Sequence, residues 1–319
     1  MDAVIKAIRY PILLSLILLI SSCCPSPEKN SPFNFKESDQ GLELFEKGEA
    51  VYFYQKEPKT LAGEYICNNY LHPLLAPNGD TLTEESPADH PYHRGIYWSW
   101  HQHYIDGKSI GDGWIMEDIS QEVDEMKVST DNHSASLDLT AFWKSPNYEL
   151  GKAYIKENTS IVVHQVKSGI RLIDFEISLL ALVPGVSLGG SDDEKGYGGL
   201  CTRIILPDDL VFTSTDGPVT PQTLQVIAGS WMDFSGSFGP SGSQNGLAIL
   251  CHPGTPNYPA PWILRQKTSM QNIVYPGREP VEISIDQPTK LKYRLVLHAG
   301  NADDVDLASY QSEFNKTKF

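Results

Sequence analysis

Apolar residues at every second position are the feature that most restricts the fold of this chain. Near the C terminus, four apolar residues alternate with basic ones over residues 290–297, and the same period occurs over residues 137–143 and 171–179. Because successive side chains of a strand point to opposite faces, this pattern predicts β-strands with one buried face. Shorter candidate strands lie at residues 51–54, 202–206, 222–227, 246–251 and 281–285.

Breaks between these runs define the fold class. The chain contains 25 glycines and 22 prolines, it lacks a strand–helix–strand rhythm, and it has no internal repeat. These properties predict an all-β protein, with residues 41–319 forming one large antiparallel β-sandwich. One short C-terminal helix is expected, with Asn301 as its N-cap and Asp303 and Asp304 in its first turn. Cys67, Cys201 and Cys251 allow at most one disulfide among themselves.

The first 22 residues are typical of an export signal. Lys6 and Arg9 precede an apolar stretch, residues 12–20, that is too short to span a bilayer, and small residues precede Cys23. This order is similar to a bacterial lipoprotein signal, which implies cleavage before Cys23 and acylation of that cysteine, for example with palmitate. The protein would then be lipid-anchored, facing the periplasm or the cell surface at the outer membrane. The alternative is an ordinary signal peptide. Residues 23–40 are rich in proline, serine and other polar residues, which predicts a flexible tether.

Charge argues against one class of partner. Residues 1–22 contain two of the 25 basic residues and one of the 40 acidic ones, so the exported part keeps 23 and 39, a net charge of −16. A surface this acidic disfavours binding to the phosphate backbone of nucleic acid. It does not discriminate for or against a neutral ligand such as a sugar.

Residues 89–103, DHPYHRGIYWSWHQH, hold the densest group of proton carriers in the sequence. His90, His93 and Arg94 form a predicted loop before a strand over residues 96–101, whose Trp98 and Trp100 are expected in the core. We expect His93 to be the proton carrier, because the charge of Arg94 should lower its pKa and keep it neutral and basic. Arg94 is expected to hold a carboxylate or an anionic intermediate.

A second histidine pair follows at the end of this strand. On a straight strand His93 and His101 would lie about 26 Å apart, so His101 and His103 are expected to form a separate feature. Their spacing of about 7 Å suits two ligands of one metal ion, but the third and fourth ligands are missing. We therefore expect packing or hydrogen bonding for these two histidines, and no metal or other cofactor.

Three further clusters could contact a ligand. Lys195 and Tyr197 lie in a glycine-rich loop before a strand that carries Arg203; Trp231 and Asp233 place a ring beside an acid; and His252 ends an apolar strand ahead of Trp262. A ring beside a carboxylate suits sugars, although each of the first two clusters could equally be a structural turn. Because binding sites of sheet proteins are commonly built from loops, we expect one pocket formed by residues 90–94 with Trp231, Asp233 and His252.

These motifs together resemble a family of exported bacterial proteins named "methane oxygenase PmoA". The resemblance covers nearly all of residues 41–310, and its most specific part is HPYHRG at residues 90–95. It implies a β-supersandwich similar to galactose-mutarotase-like domains, in bacteria that degrade polysaccharides. Glu194 and Lys195 stand in the reverse of the family's order. The activity in that name does not fit this chain, because a membrane oxygenase subunit needs several apolar spans of about 20 residues and none follows the signal.

Two functions remain open from the sequence. The first is a carbohydrate-active hydrolase, lyase or epimerase acting on an oligosaccharide or sugar derivative, because clustered titratable groups are typical of catalytic sites. The second is a non-catalytic, glycan-binding surface lipoprotein. For the enzyme, the predicted catalytic residues are His93, His90, Arg94 and Asp233. The predicted substrate-binding residues are Trp231, His252, Tyr197, Lys195, Arg203 and Trp262.

Overall fold

The computed structural model describes residues 31–240 and 242–318. The predicted signal peptide and the predicted lipidation site, Cys23, lie outside these residues. Within them the chain forms 23 strands, numbered along the sequence, and two short helices. No helix in this part of the chain is long and apolar enough to cross a membrane.

The strands form two large antiparallel sheets and two small ones. The first sheet has the order β1 (Phe33–Glu37), β2 (Gly41–Glu46), β3 (Glu49–Gln55), β6 (Tyr70–Leu74), β7 (Ile96–Ser99), β15 (Gly199–Thr202), β21 (Gln271–Ile273) and β20 (Trp262–Ile263). The second has the order β10 (Ser120–Thr130), β11 (Ser134–Lys144), β12 (Ala153–His164), β13 (Arg171–Ala181), β23 (Thr289–Ala299), β19 (Gln244–Cys251), β18 (Trp231–Ser237), β16 (Val211–Ser214) and β17 (Gly217–Pro218). The small sheets are β22 (Val281–Glu282), β14 (Val186–Gly189), β8 (Gln102–Ile105) and β9 (Lys108–Gly111), and the hairpin β4 (Lys59–Leu61) and β5 (Glu64–Cys67).

The main core lies between the two large sheets. Trp98 of β7 and Trp143 of β11 belong to one continuous buried cluster. The rings of Trp100 and Trp143 meet 5.7 Å apart, and both side chains are fully buried. Residues of two sheets sharing one core is the arrangement of a sandwich, so the predicted large antiparallel β-sandwich is confirmed. The expectation that Trp98 and Trp100 are core residues is confirmed as well.

Strand alternation located most of the long strands. The predicted segments at residues 51–54, 137–143, 171–179, 246–251 and 290–297 lie within β3, β11, β13, β19 and β23. The strand predicted at residues 202–206 is wrong beyond Thr202, because β15 ends there. The next residues form one isolated β-bridge, between Ile204 and Thr83. Residues 222–227 keep one bridge, Val226 to Trp262, and of residues 281–285 only β22 is a strand.

Both ends of the domain differ in detail from the sequence-based prediction. Asn301 caps a 3-10 turn (η1, Ala302–Asp304), and the single α-helix (α1, Leu307–Phe314) starts later, where Asp306 accepts a hydrogen bond of 2.9 Å from the backbone N–H of Ser309. At the other end β1 pairs along its whole length with β2. The prediction of a flexible tether over residues 23–40 is therefore wrong for β1, which is part of the sheet. Cys67, Cys201 and Cys251 are all buried and free.

Candidate functional site

A cavity of about 220 Å³ opens beside the loop that leads into β7. Four loops meet there: residues 84–95, 112–118, 190–198 and 264–270. The cavity is lined by His90, Tyr92, His93, Trp114, Lys195, Tyr197, Arg265, Thr268, Ser269 and Met270. Four residues expected at a site from the sequence, His90, His93, Lys195 and Tyr197, are therefore brought together by the fold.

Backbone pairing fixes the loop at residues 84–95 against β15. The N–H of Glu84 donates to the carbonyl of Arg203 at 2.9 Å, and the N–H of Arg203 donates to the carbonyl of Gly95 at 2.7 Å. Gly95 has φ +50°, and a Cβ there would lie 1.9 Å from the carbonyl oxygen of Leu71. Only glycine fits so close to a neighbouring backbone, which explains the glycine of the HPYHRG motif.

Arg203 is buried, binds two carboxylates, and does not line the cavity. Its guanidinium donates to Asp89 through Nη1 at 3.0 Å and Nη2 at 2.8 Å, and to Glu84 at 2.9 Å, and it also contacts the carbonyl of Ser269. Burial favours a raised pKa for Asp89, but hydrogen bonds from Ser269 N–H, His90 and Arg203 outweigh it and hold the pKa well below the usual range. The predicted substrate-binding role of Arg203 is thus replaced by one in positioning Asp89.

His90 and Asp89 form an imidazole–carboxylate pair at the cavity. The distance between His90 Nδ1 and Asp89 Oδ2 is 2.8 Å, and Asp89 is held in turn by Arg203 and by the N–H of Ser269 at 2.6 Å. A carboxylate on Nδ1 fixes the tautomer in which Nδ1 carries the proton, so that Nε2 is the acceptor nitrogen. The His90 side chain is about one third exposed (31%) and lines the cavity. It can therefore exchange a proton with a bound ligand.

His93 stacks against His90 and is almost fully buried. The two ring centroids lie 4.6 Å apart with planes 4° from parallel, and His93 is 1% exposed. Burial, followed by the charges of His90, Arg203 and Arg94, lowers the pKa of His93 to about 2. The expected direction of this shift is right, but desolvation is its main cause. An imidazole with so low a pKa is a weak base, and His93 is 1% exposed whereas the His90 side chain is 31% exposed, so His90 is the better placed proton carrier.

Arg94 lies behind the cavity. Its guanidinium carbon is 4.6 Å from the ring centroid of Tyr97, and Nη1 donates to the carbonyl of Tyr92 at 3.2 Å. It is 1% exposed and is not a lining residue, so it is not placed to hold a carboxylate as we expected from the sequence. Its permanent charge contributes to lowering the pKa of His93, which does line the cavity.

The two histidine features are not separate, because Trp114 connects them. The chain bends after β7, and the ring of His101 stacks on Trp114 with 5.2 Å between centroids, while His93 meets the same indole edge-on at 5.9 Å. The straight-strand estimate was wrong because β7 ends at Ser99 and β8 belongs to another sheet. Trp114 also supports Tyr197 at 4.8 Å, and so forms the inner wall of the cavity.

The metal alternative at His101 and His103 finds no support. His103 is fully buried, with Nδ1 2.8 Å from the hydroxyl of Tyr154 and Nε2 3.2 Å from the carbonyl of Trp100. Nδ1 of His101 lies 2.7 Å from Asp112. Within residues 31–240 and 242–318 no group of three or more His, Cys, Asp or Glu side chains is arranged to hold a metal ion.

The glycine-rich loop presents Lys195 and Tyr197 to the cavity. Asp193 Oδ1 accepts hydrogen bonds from Ser191 Oγ at 2.7 Å and from the N–H of Lys195 at 2.9 Å, which folds the loop into a tight turn. Lys195 Nζ then pairs with Asp193 Oδ2 at 3.0 Å. Burial, with smaller contributions from Tyr92 and Asp193, raises the pKa of Tyr197 to about 12. Tyr197 therefore remains a protonated donor near neutral pH.

Arg265 is the second cation, beside Lys195, in the lining of the cavity. Its Nη1 donates to the carbonyls of Gln222 at 2.8 Å and Leu264 at 2.9 Å, and its Nη2 to that of Thr223 at 3.0 Å. Arg265 and Lys195 also line a second, more open cavity of about 380 Å³. The two residues thus stand where the two cavities adjoin.

Four predicted site residues lie elsewhere in the fold. Asp233 is fully buried and pairs with His298 Nε2 at 2.8 Å; burial opposes the charged imidazole, but Asp233 outweighs it and raises the pKa of His298. Trp231 packs in a cluster with α1, and His252 packs on Phe314 at 5.2 Å. Trp262 is fully buried and donates to the carbonyl of Gly229. The shared pocket of residues 90–94 with Trp231, Asp233 and His252 is therefore wrong, because none of these three lines the cavity.

Sequence reasoning missed the importance of Trp114 and Arg265. Trp114 follows Asp112-Gly113, and Asp112 Oδ1 accepts a hydrogen bond of 2.8 Å from its N–H, so a turn signal was present in the sequence. Arg265 follows Trp262 by three residues, but no local pattern marks it as a site residue. Its loop is fixed by Gln271, which exchanges two hydrogen bonds, of 2.7 and 2.8 Å, with its backbone.

Comparison with known proteins gives a family without an activity. No curated protein sequence matches this chain. Among solved structures, a candidate mutarotase, YeaD, from Salmonella typhimurium is 7% identical and aligns over 86% of this chain and 96% of its own, with a TM-score of 0.36. At this TM-score the similarity does not bear on the function of the chain. Residues 42–312 match the model of a family of unknown function, DUF6807, and the chain belongs to that family.

Proposed function

We propose that this protein is a carbohydrate-active enzyme in which His90 transfers a proton to or from a sugar held in the cavity of about 220 Å³. The observation that carries the proposal is the pair formed by His90 Nδ1 and Asp89 Oδ2 at 2.8 Å. The carboxylate orients the imidazole and stabilises it when it is protonated, as an orienting acid does for a general base. Histidine is the side chain best suited to this task near neutral pH.

The cavity also supplies a hydrogen-bond donor and ring surfaces. Tyr197, with its pKa raised to about 12, stays protonated and can donate a hydrogen bond to a leaving or bridging oxygen. Tyr92 and Tyr197 are partly exposed aromatic residues of the lining, and aromatic faces cover the apolar C–H surfaces of sugars. The cavity is smaller than the range of about 300–1,000 Å³ typical for drug-sized ligands, which suits one sugar ring with further units outside.

The test is a screen of the purified exported domain against intact, oxidised and unsaturated oligosaccharides, with products detected by mass spectrometry. Replacing His90 by glutamine should lower turnover by about 10²–10⁴-fold, the usual contribution of a general acid or base. His133→Gln is the matched control, because this histidine is exposed and lies far along the chain in the turn between β10 and β11.

The outcomes separate the enzyme from the binding protein. Products that form equally fast with His90→Gln would refute the role of His90. A wild-type protein that binds an oligosaccharide but never converts it would instead favour the glycan-binding alternative. We also propose, from the N-terminal sequence alone, that this activity is exported and anchored to a membrane by a lipid on Cys23.

A further inference from the structure

Positive charge dominates the lining of the cavity. Lys195 and Arg265 face it, and its ten lining residues include no aspartate or glutamate. The acids nearby are already engaged, because Asp89 is held by Arg203 and Asp193 pairs with Lys195. A chain with 40 acidic and 25 basic residues thus places two cations and no carboxylate in the lining of this cavity, and of the two cations only Lys195 is paired with an acid, Asp193. Such a local reversal of charge favours an anionic ligand.

Arg265 is the stronger of the two cations for recognition. No carboxylate lies within 4 Å of its guanidinium in the described part of the chain, where it donates to the backbone carbonyls of Gln222, Thr223 and Leu264. These carbonyls fix the plane of the guanidinium without neutralising its charge. A planar, oriented guanidinium without an ion-pair partner among the described residues matches the two oxygens of a carboxylate.

The position of Arg265 also indicates how the ligand is oriented between the two cavities. Arg265 and Lys195 line both the cavity of about 220 Å³ and the adjoining one of about 380 Å³. A sugar ring in the smaller cavity, next to His90, would therefore place a ring substituent at Arg265 while the next sugar unit extends into the larger cavity.

We infer that the substrate is an acidic sugar, a hexuronic acid unit within an oligosaccharide, whose carboxylate binds Arg265 with Lys195 as the second cation. This inference rests on the proposed function, since it names the substrate class of the same cavity. It replaces Arg94, the arginine expected from the sequence to hold a carboxylate, with one that is open to the ligand.

The experiment compares a hexuronic acid oligosaccharide with the neutral hexose oligosaccharide of the same linkage. Affinity is measured by titration calorimetry and turnover by mass spectrometry, for the wild-type domain and for Arg265→Met. The wild type should bind the acidic ligand at least about tenfold more tightly, the effect of one net hydrogen bond between charged groups. Arg265→Met should lose this preference and keep its affinity for the neutral ligand.

Two further variants keep the test informative. Arg278→Met removes an exposed arginine that pairs with Asp192 at 2.9 Å outside the cavity, and it should leave the preference unchanged. If Arg265→Met does not fold, Lys195→Met should lower the preference for the acidic ligand by a smaller factor. Added salt should weaken binding of the acidic ligand and leave binding of the neutral one unchanged.

Each result has a defined meaning. Equal affinity of the wild type for the two ligands would refute the inference that the substrate is acidic, but it would not affect the proposal that the protein is a carbohydrate-active enzyme. If a sulfated sugar binds more tightly than the hexuronic acid, the inference that a carboxylate is the group recognised by Arg265 is refuted. Failure to bind or convert any sugar would refute the proposed function itself, and with it this inference.

Discussion

Replacing Asp89 by asparagine tests whether the carboxylate that pairs with His90 also stabilises the folded protein. The change keeps the shape of the side chain and removes its charge. In the wild-type protein this carboxylate receives two hydrogen bonds from Arg203, at 3.0 and 2.8 Å, and one from His90, at 2.8 Å. The Arg203 side chain is only 4% exposed, so the loss of one anionic partner leaves its charge less well compensated.

The expected cost follows from these contacts. A hydrogen bond to a charged group contributes about 1.5–3 kcal/mol, but Asp89 is 26% exposed and its interactions are partly screened by solvent. Arg203 also keeps Glu84 at 2.9 Å. We therefore expect Asp89→Asn to lower the free energy of unfolding by about 2 kcal/mol at pH 7. For a domain of this size, with an unfolding entropy of about 2.1 cal/mol/K per residue, the melting temperature should fall by about 3 °C.

The pH dependence has a defined sign. The pKa of Asp89 is held below its ordinary value, so its charge stabilises the fold above the unfolded pKa of about 3.9, and this contribution is lost as the pH falls through the folded pKa. Calorimetry at several pH values should therefore show the full gap between wild type and Asp89→Asn from pH 7 to pH 5, and a smaller gap below about pH 4.

Glu84→Gln is the matched control for this experiment. Glu84 pairs with the same guanidinium but is 40% exposed, so its loss should cost less than about 1 kcal/mol. Equal destabilisation by the two variants would refute the argument that Asp89 is the structural partner of Arg203. A gap that widens on acidification would refute the direction of the pKa shift.

Three other outcomes are expected. Gly95→Ala should lower the free energy of unfolding by more than about 3 kcal/mol or prevent folding, because the new Cβ would overlap the carbonyl of Leu71. Gly79→Ala is the control: Gly79 has φ +89° but nothing within 4 Å of the new Cβ, so the change should cost about 1 kcal/mol. Similar melting temperatures for the two variants would contradict this reasoning. His93→Gln should lower stability by about 2 kcal/mol in thermal unfolding, because the ring is buried. Cys23→Ser should move the expressed protein from membranes to the soluble fraction; continued fractionation with membranes would count against a lipid anchor.

The sequence determined the features of this protein that depend on neighbouring residues. Alternation with a period of two located β11, β13 and β23, because it reflects which face of a strand is buried, and that is a local property. The same reasoning placed Trp98 in the core. The turn residues of the 84–95 and 190–198 loops also marked two segments that do reach the cavity.

The tertiary structure alone decided which loops meet. Arg265 reaches the cavity of His90 because β7 pairs with β15 and β15 with β21, and no local pattern encodes pairing between strands so distant in sequence. Trp114 reaches it by packing against the rings of His93 and His101. For the same reason Asp233, which the sequence suggested as a catalytic acid, pairs with His298 in the second sheet. Burial is likewise a property of the folded chain: Arg94 and His93 look like exposed loop residues in the sequence, and each is 1% exposed once the surrounding loops close over them.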